Sequence, residues 1–223
     1  MSTSGQRGRL PSGRHGLPRD VIIRSQRERL LEAMIRVVSD KGYEGTTVAD
    51  VIEAAGVSRT TFYELFGDKE ECFLASYDAV ADVLLAQVGR AFRERGGSWQ
   101  ERIHAGLAAL VALLAEESAV ARMAMVESIA ASPAARQRYR EMLGRFMPFL
   151  DEGRALSDHA VQLPAATSRM AIGGAAALIF DEVRAGRGDQ LRARLPDLVY
   201  SVLMPFLGPE TAAREMRRAT AEI

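Results

Sequence analysis

A single cysteine, Cys72, stands in the whole chain, so an internal disulfide is excluded and a zinc site would have no cysteine pair to use. The three histidines, His15, His104 and His159, lie far apart, with none of the short spacings by which a helix presents metal ligands. Neither a metal nor a cofactor is expected. No run of about 18 uncharged apolar residues exists, and the first residues hold no apolar signal-like stretch. A membrane span and secretion are therefore not expected, and a cytoplasmic home is the default. No segment alternates polar and apolar residues with period two, which argues against strands. Enzyme signatures are missing as well: there is no Glu-x-x-His pair, no phosphate-binding loop and no nucleophile with a matched base.

What is present is a 223-residue chain with 48% apolar and 26% charged residues, enough to bury a sizeable core. Its formal net charge is zero, but the charge is unevenly placed. Arg7, Arg9, Arg14, Arg19, Arg24, Arg27 and Arg29 oppose only Asp20 and Glu28 in the first 29 residues. A basic end on a neutral chain suits a polyanionic partner. The competing reading is a solvated tail from an arginine-favouring genome, since Lys41 and Lys69 are the only lysines. Residues 1–19 are rich in Gly, Pro, Ser and Arg without periodicity, which predicts disorder; residues 1–23 form a flexible basic arm.

From about Asp20 the pattern is helical throughout. Leu30, Leu31, Met34, Ile35, Val37 and Val38 form an apolar stripe that ends near Gly42. After residue 66, Asp68 and Glu71 have capping-box spacing. Phe73, Tyr77, Val80, Leu84, Val88 and Phe92 then mark the buried face of a long helix, stopped at Gly96–Gly97. Further helices are expected at about 99–115, 117–130, 133–150, 164–186 and 191–206, with a short one from about Pro209. The fold class is all-α.

The stretch "TTVADVIEAAGVSRTTFYELFGDKEECF", residues 46–73, breaks a helix after two turns and restarts it at once. Thr47 and Asp50 open the first helix, with Val48, Val51, Ile52 and Ala55 inward. Gly56 takes the turn, Val57 plugs the angle and Ser58 caps the second helix. Phe62, Leu65 and Phe66 point inward, which leaves Arg59, Thr60, Thr61 and Tyr63 facing out in the first turns. Two short helices at a steep angle with a polar tip form a helix-turn-helix, whose second helix enters the major groove. Arg59 has the reach to hold guanine O6 and N7, worth about 1–3 kcal/mol of discrimination. The Thr60 methyl suits a thymine methyl. Thr47, Thr61, Tyr63 and Lys69 suit phosphates, and Ser58, at the same tip, completes the set of candidate DNA contacts. The alternative is that Ser58 and Thr61 only cap a helix and Tyr63 only packs a core edge.

This stretch resembles the TetR family of bacterial transcriptional regulators, through Thr46-Thr47-Val48, Ala54-Ala55-Gly56-Val57-Ser58, Phe62-Tyr63-x-x-Phe66 and Asp68-Lys69-Glu70. One departure is Leu65, where the family often has a phosphate-contacting histidine; Leu65 reads as packing. The resemblance implies a DNA-binding domain over about 24–84 (motif 47–66), a homodimer, a palindromic DNA operator and repression relieved by a small-molecule inducer. It also implies an inducer pocket in residues 85–223, the sensing and dimerisation domain. Lining candidates there are Trp99, Ile103, Leu107, Leu110, Met123, Met125, Val126, Tyr139, Met142 and Phe146, with ordinary core as the competing reading. Arg122 and Glu127 fall among apolar neighbours, either to fix a polar ligand group or to pair across the surface.

Gly173, Gly174, Ala175, Ala176 and Ala177 lie in one helix, where glycine costs about 1 kcal/mol against alanine. Close helix approach accounts for that, across a subunit interface or within one subunit. Leu198, Val202, Leu203 and Phe206 form a second apolar face, and together the two helices predict a four-helix dimer interface. The function expected is a ligand-responsive transcriptional repressor; the alternative is a helix-turn-helix adaptor acting through protein contacts without an inducer.

Overall fold

The computed structural model describes residues 19–156 and 162–222; the basic arm up to residue 18 and His159 lie outside the described residues. Among the described residues every regular element is a helix. Helix α1 spans Arg19–Gly45, interrupted at Gly42, whose φ of 72° is the stop expected there. Helix α2 is Val48–Ala55, α3 is Arg59–Leu65 and α4 is Lys69–Glu94. Leu30, Met34 and Val38 of α1, Val51 of α2, Phe62 and Phe66 around α3, and Phe73 and Tyr77 of α4 are all buried in one core.

The expected face of α4 is buried in full, from Phe73 to Phe92, and Gly96 and Gly97 follow it with positive φ. By length and composition α4 could cross a membrane. It is instead the central core helix, packed against α1 and the helices that follow. Its Asp78 and Asp82 pair with Arg138 (3.5 Å) and Arg145 (2.8 Å) of a neighbouring segment.

Helix α5 is Trp99–Glu116, and α6, Ser118–Arg122, runs into a π-helical turn at Met123–Glu127 and then α7, Ser128–Ala130. Next come α8, Pro133–Gly144, and α9, Met147–Asp151, where one helix over 133–150 was expected. Pro148 is the physical reason. Its ring would clash with the carbonyl four residues back, at Gly144, so the helix ends there and restarts with proline in its first turn. A 3-10 turn at Glu152–Ala155 follows.

Helix α10 is Thr167–Arg184; a 3-10 segment, Gly188–Arg194, leads to α11, Leu195–Ala221. The last two expected helices are both present within this span: a non-helical break at Gly208 (φ 77°) just before Pro209 divides them, and Pro196 lies in the first turn.

One expectation is corrected outright. Leu198, Val202, Leu203 and Phe206 do not face outward to a partner; all four are buried in the subunit's own core. The apolar stripe of α11 turns inward because α5 and α10 pack upon it. Before the break at Gly208, α11 leaves Asp197, Ser201 and Met204 exposed.

Candidate nucleic-acid interface and ligand cavity

The turn between α2 and α3 is built by local chemistry. Thr47 and Asp50 form a complete capping box: Asp50 N–H donates to Thr47 Oγ1 (3.2 Å) and Thr47 N–H donates to Asp50 Oδ2 (2.8 Å). Gly56 sits in the left-handed region at φ 62°, ψ 41°, which lets the chain reverse without a Cβ penalty. Ser58 Oγ then accepts from Thr61 N–H at 3.0 Å.

The polar tip divides into two sets. Arg59, Thr60 and Tyr63 are exposed, Tyr63 by 51% although its ring edge meets Phe62. Ser58 Oγ and Thr61 Oγ1 lie 2.9 Å apart, so those hydroxyls already satisfy each other. The Thr47 hydroxyl likewise donates its only proton to Asp50 Oδ2 at 2.7 Å. It reaches a phosphate only by giving Asp50 up. Leu65 is half-buried against the core, in keeping with a packing role.

Lys69 behaves differently from its expected part as a bare charge. Its Nζ donates to the carbonyls of Tyr43 and Thr46, both at 3.0 Å, and lies 4.1 Å above the Tyr43 ring. The ammonium thus ties the start of α4 to the end of α1, where helix carbonyls gather partial negative charge.

Cations of α1 also brace the motif, and the sequence reading missed them. Arg36 donates to the Ala54 carbonyl at 3.3 Å, Lys41 Nζ meets Asp50 Oδ1 at 2.6 Å, and Arg29 lies beside Gly56. The signal was available: a spacing of seven puts Arg29 and Arg36 on one helical face. The hydrogen bond from Lys41 leads those that hold the Asp50 carboxyl down at about 2.

A second joint links this domain to the rest. Glu127 is 5% exposed and closes the π-helical turn. Its Oε2 accepts the Tyr43 backbone N–H at 3.0 Å, and its Oε1 accepts from Arg122 Nη2 at 2.7 Å. Arg122 and Glu127 do pair, but the carboxylate is buried at a domain junction rather than spread on the surface. Tyr43 therefore receives Glu127 on its N–H and Lys69 on its carbonyl.

Two residues before Glu127, Met125 enters the wall of a cavity of about 90 Å³. Every side chain in that wall is apolar. Of the expected lining, Ile103, Leu107, Leu110, Met125, Met142 and Phe146 are there. Trp99, Met123, Val126 and Tyr139 are not. Trp99 is a core post: its indole N–H donates to the Phe149 carbonyl at 2.8 Å and its ring meets Phe206. Met123 is wholly buried away from the cavity, Val126 packs at the core edge, and Tyr139 is half-buried with its phenol pKa pushed up by burial. The missed walls include Leu84, Val88 and Phe92 of α4, Leu143 of α8, and Ile172 and Ile179 of α10.

On α10, a Cβ at Gly173 or Gly174 would meet no atom within 4 Å, so packing inside the subunit does not account for these glycines. Met170, 73% exposed, and Ala177 extend the same outward face.

Residues 30–76 match the family described as "Bacterial regulatory proteins, tetR family". Among curated proteins, the HTH-type transcriptional repressor AcnR of Corynebacterium glutamicum is 45% identical over 51 residues, covering 23% of this chain and 27% of AcnR. The HTH-type transcriptional activator FasR of Mycolicibacterium smegmatis is 31% identical over 122 residues, 52% of this chain and 53% of FasR. The chain thus spans from about a quarter to about half the length of these relatives. Among solved structures, the fatty acid degradation regulator FadR of Bacillus halodurans has a TM-score of 0.71 at 18% identity, over 80% of this chain and 94% of its own. FadR of Bacillus subtilis, in complex with stearoyl-CoA, has a TM-score of 0.67 at 18% identity, over 81% and 98%. At such identities the structural likeness concerns the fold.

Proposed function

We propose that this chain, which belongs through its helix-turn-helix domain to the tetR family of bacterial regulatory proteins, is a transcriptional repressor released from a palindromic operator by a small, largely apolar molecule. The observation that carries this reading is the exposed tip of Arg59, Thr60 and Tyr63 at the N-terminus of α3, held out by the left-handed turn at Gly56. Arg59 reads a guanine edge, the Thr60 methyl meets a thymine methyl, and Tyr63 meets a phosphate.

The active species is a homodimer. Its interface uses Met170, Gly174 and Ala177 of α10 and Ser201 and Met204 of α11, which the subunit itself leaves uncovered. Doubling the chain places two recognition helices at a spacing of about 34–36 Å, one turn of duplex. The arm before α1 adds phosphate contacts and steepens the salt dependence.

Release works by population shift. A ligand filling the apolar cavity moves Met125, and the π-helical turn carries that movement to Glu127 and so to Tyr43 at the end of α1. A ligand that favours the displaced arrangement lowers DNA affinity by the same free energy with which DNA opposes the ligand. The stearoyl-CoA held by the B. subtilis neighbour supports a hydrocarbon as the cavity's occupant. Repression follows the name of AcnR; FasR is named an activator, so the sign of regulation is read from a reporter gene.

The test is a mobility-shift titration on the duplex upstream of the protein's own gene. Arg59→Ala is expected to lower specific affinity about tenfold, within the range for one bidentate base contact, with helical content unchanged. Unchanged affinity would remove Arg59 from base reading. The adaptor reading gains only if no small molecule lowers operator affinity.

A further inference from the structure

The apolar cavity shares part of its wall with a second space. Leu143 and Ile172 line it and also line a second space, a groove of about 370 Å³ between the α8–α9 segment and α10. The charged side chains in that groove are Arg140 and Arg169, and no carboxylate lines it. The contrast with their neighbours is informative. Arg138 and Arg145, on the side toward α4, are matched by Asp78 and Asp82, and Arg154 by Asp151. Arg140 instead donates to the neutral Gln137 Oε1 at 2.6 Å. Arg169 has no acidic partner among the described residues. Two cations thus face one groove without counter-charge from the groove's own lining.

The groove is also held open. Gly144 ends α8 and Gly173 lies within α10, and both line the groove; a Cβ at either would meet nothing within 4 Å. Glycine inside a helix is destabilising relative to alanine, so a bare position here leaves room rather than relieving a clash. The inner cavity, by contrast, offers no hydrogen-bonding side chain, so a charged group carried into it would lose its hydration without a partner. Any ionised end of a ligand must therefore remain outside the cavity, and Leu143 and Ile172, which line both spaces, are where a ligand would pass from one to the other.

We infer that the ligand is a single-chain anionic amphiphile, its hydrocarbon tail in the cavity and its anionic head between Arg140 and Arg169. This rests on reading the cavity as the ligand site. Guanidinium groups suit the head because their planar donors pair with carboxylate or phosphate oxygens two at a time. The head is the carboxylate of a free acid or the phosphates of an acyl thioester; the recognising chemistry is shared.

The experiment displaces the neutral fluorophore N-phenylnaphthylamine from the full-length protein with laurate, dodecanol or lauroyl-CoA, each below its micelle concentration. The native protein is expected to prefer laurate over dodecanol by about tenfold, a preference that narrows in concentrated salt. In the double variant Arg140→Ala with Arg169→Ala, laurate should fall to the level of dodecanol, whose own displacement stays within about twofold. Both side chains are exposed, so the variant keeps its helical signal. Lauroyl-CoA exceeding laurate, with the larger loss in the variant, assigns the head to the phosphorylated carrier; the reverse order assigns it to the free acid. Dodecanol matching laurate on the native protein, or an undiminished preference in the variant, overturns the inference and leaves the cavity reading intact. Failure of all three to displace the fluorophore from folded protein overturns both.

Discussion

Glu127 joins the two halves of the molecule, and replacing it separates the strength of that joint from its role in communication. In Glu127→Ala the Tyr43 N–H loses its acceptor at a site only 5% exposed. A buried donor left without a partner costs about 1–3 kcal/mol. The charge-assisted bond from Arg122 disappears too, but that side chain is 37% exposed, so solvent screening reduces its share to about 1 kcal/mol or less. Near 3 kcal/mol in total, the melting temperature should fall by roughly 6–12 °C for a chain of this size. Glu127→Gln keeps one acceptor oxygen and turns an amide N–H₂ toward the other donor, so about half the loss is expected. Arg122→Ala should cost least, because Glu127 retains Tyr43. Thermal unfolding followed by circular dichroism gives this order directly, and the double variant measures the coupling between the pair. The same proteins, titrated with operator duplex with and without a cavity ligand, should show a ligand effect reduced about fivefold or more in Glu127→Ala. If Glu127→Ala melts within about 0.5 kcal/mol of the native protein, the Tyr43 contact carries no weight. If it melts early yet responds fully to ligand, the joint is structural only and the signal travels elsewhere, with α4 the next element to probe.

Lys69→Ala removes two hydrogen bonds to main-chain carbonyls and a cation–π contact, so it should destabilise the fold by about 1–3 kcal/mol as well as weaken DNA binding; a melting temperature equal to the native one would return Lys69 to the role of a plain phosphate contact. The carboxyl of Asp50 titrates at about 2 rather than the ordinary 3.8, chiefly through its hydrogen bond with Lys41. Because the folded value lies below the unfolded one, Asp50 contributes stability that is whole above about pH 4 and is lost as pH falls through about 2. Acid titration of Asp50→Asn should lack that part of the slope, and an unchanged acid profile would show the cap to be idle. A Cβ at Gly174 meets no atom within 4 Å in its own subunit, so Gly174→Arg should fold normally yet sediment as a monomer; a dimer that persists would place the interface away from α10.

The helix-turn-helix was legible because its causes are local. Thr47, Asp50, Gly56 and Ser58 act on backbone groups within four residues of themselves, and the structure repeats those expectations bond for bond. The long face of α4 was equally plain from its spacing. Errors arose where one signal stood for two outcomes. An apolar stripe on α11 reads the same whether it meets a partner or its own core, and α5 and α10 turned it inward. The periodicity from 133 to 150 runs unbroken through Pro148, so it does not show the break that the proline ring imposes. Lys69 looked like a free charge because nothing in its neighbourhood along the chain reveals the carbonyls of Tyr43 and Thr46, more than twenty residues away.

Sequence by itself determined that this protein is all-helical among its described residues, that two short helices meet at a left-handed glycine, and that a hydroxyl-and-guanidinium tip stands at the start of the second. Capping, periodicity and glycine geometry operate over a few residues, so a one-dimensional string contains them. Only the tertiary structure decided which apolar residues surround empty space, that Glu127 reaches Tyr43, and that Arg140 and Arg169 face one groove without a carboxylate in its lining. Those facts depend on where distant helices come to rest against each other, and close packing, which sets those positions, is a property of surfaces rather than of neighbours in the chain.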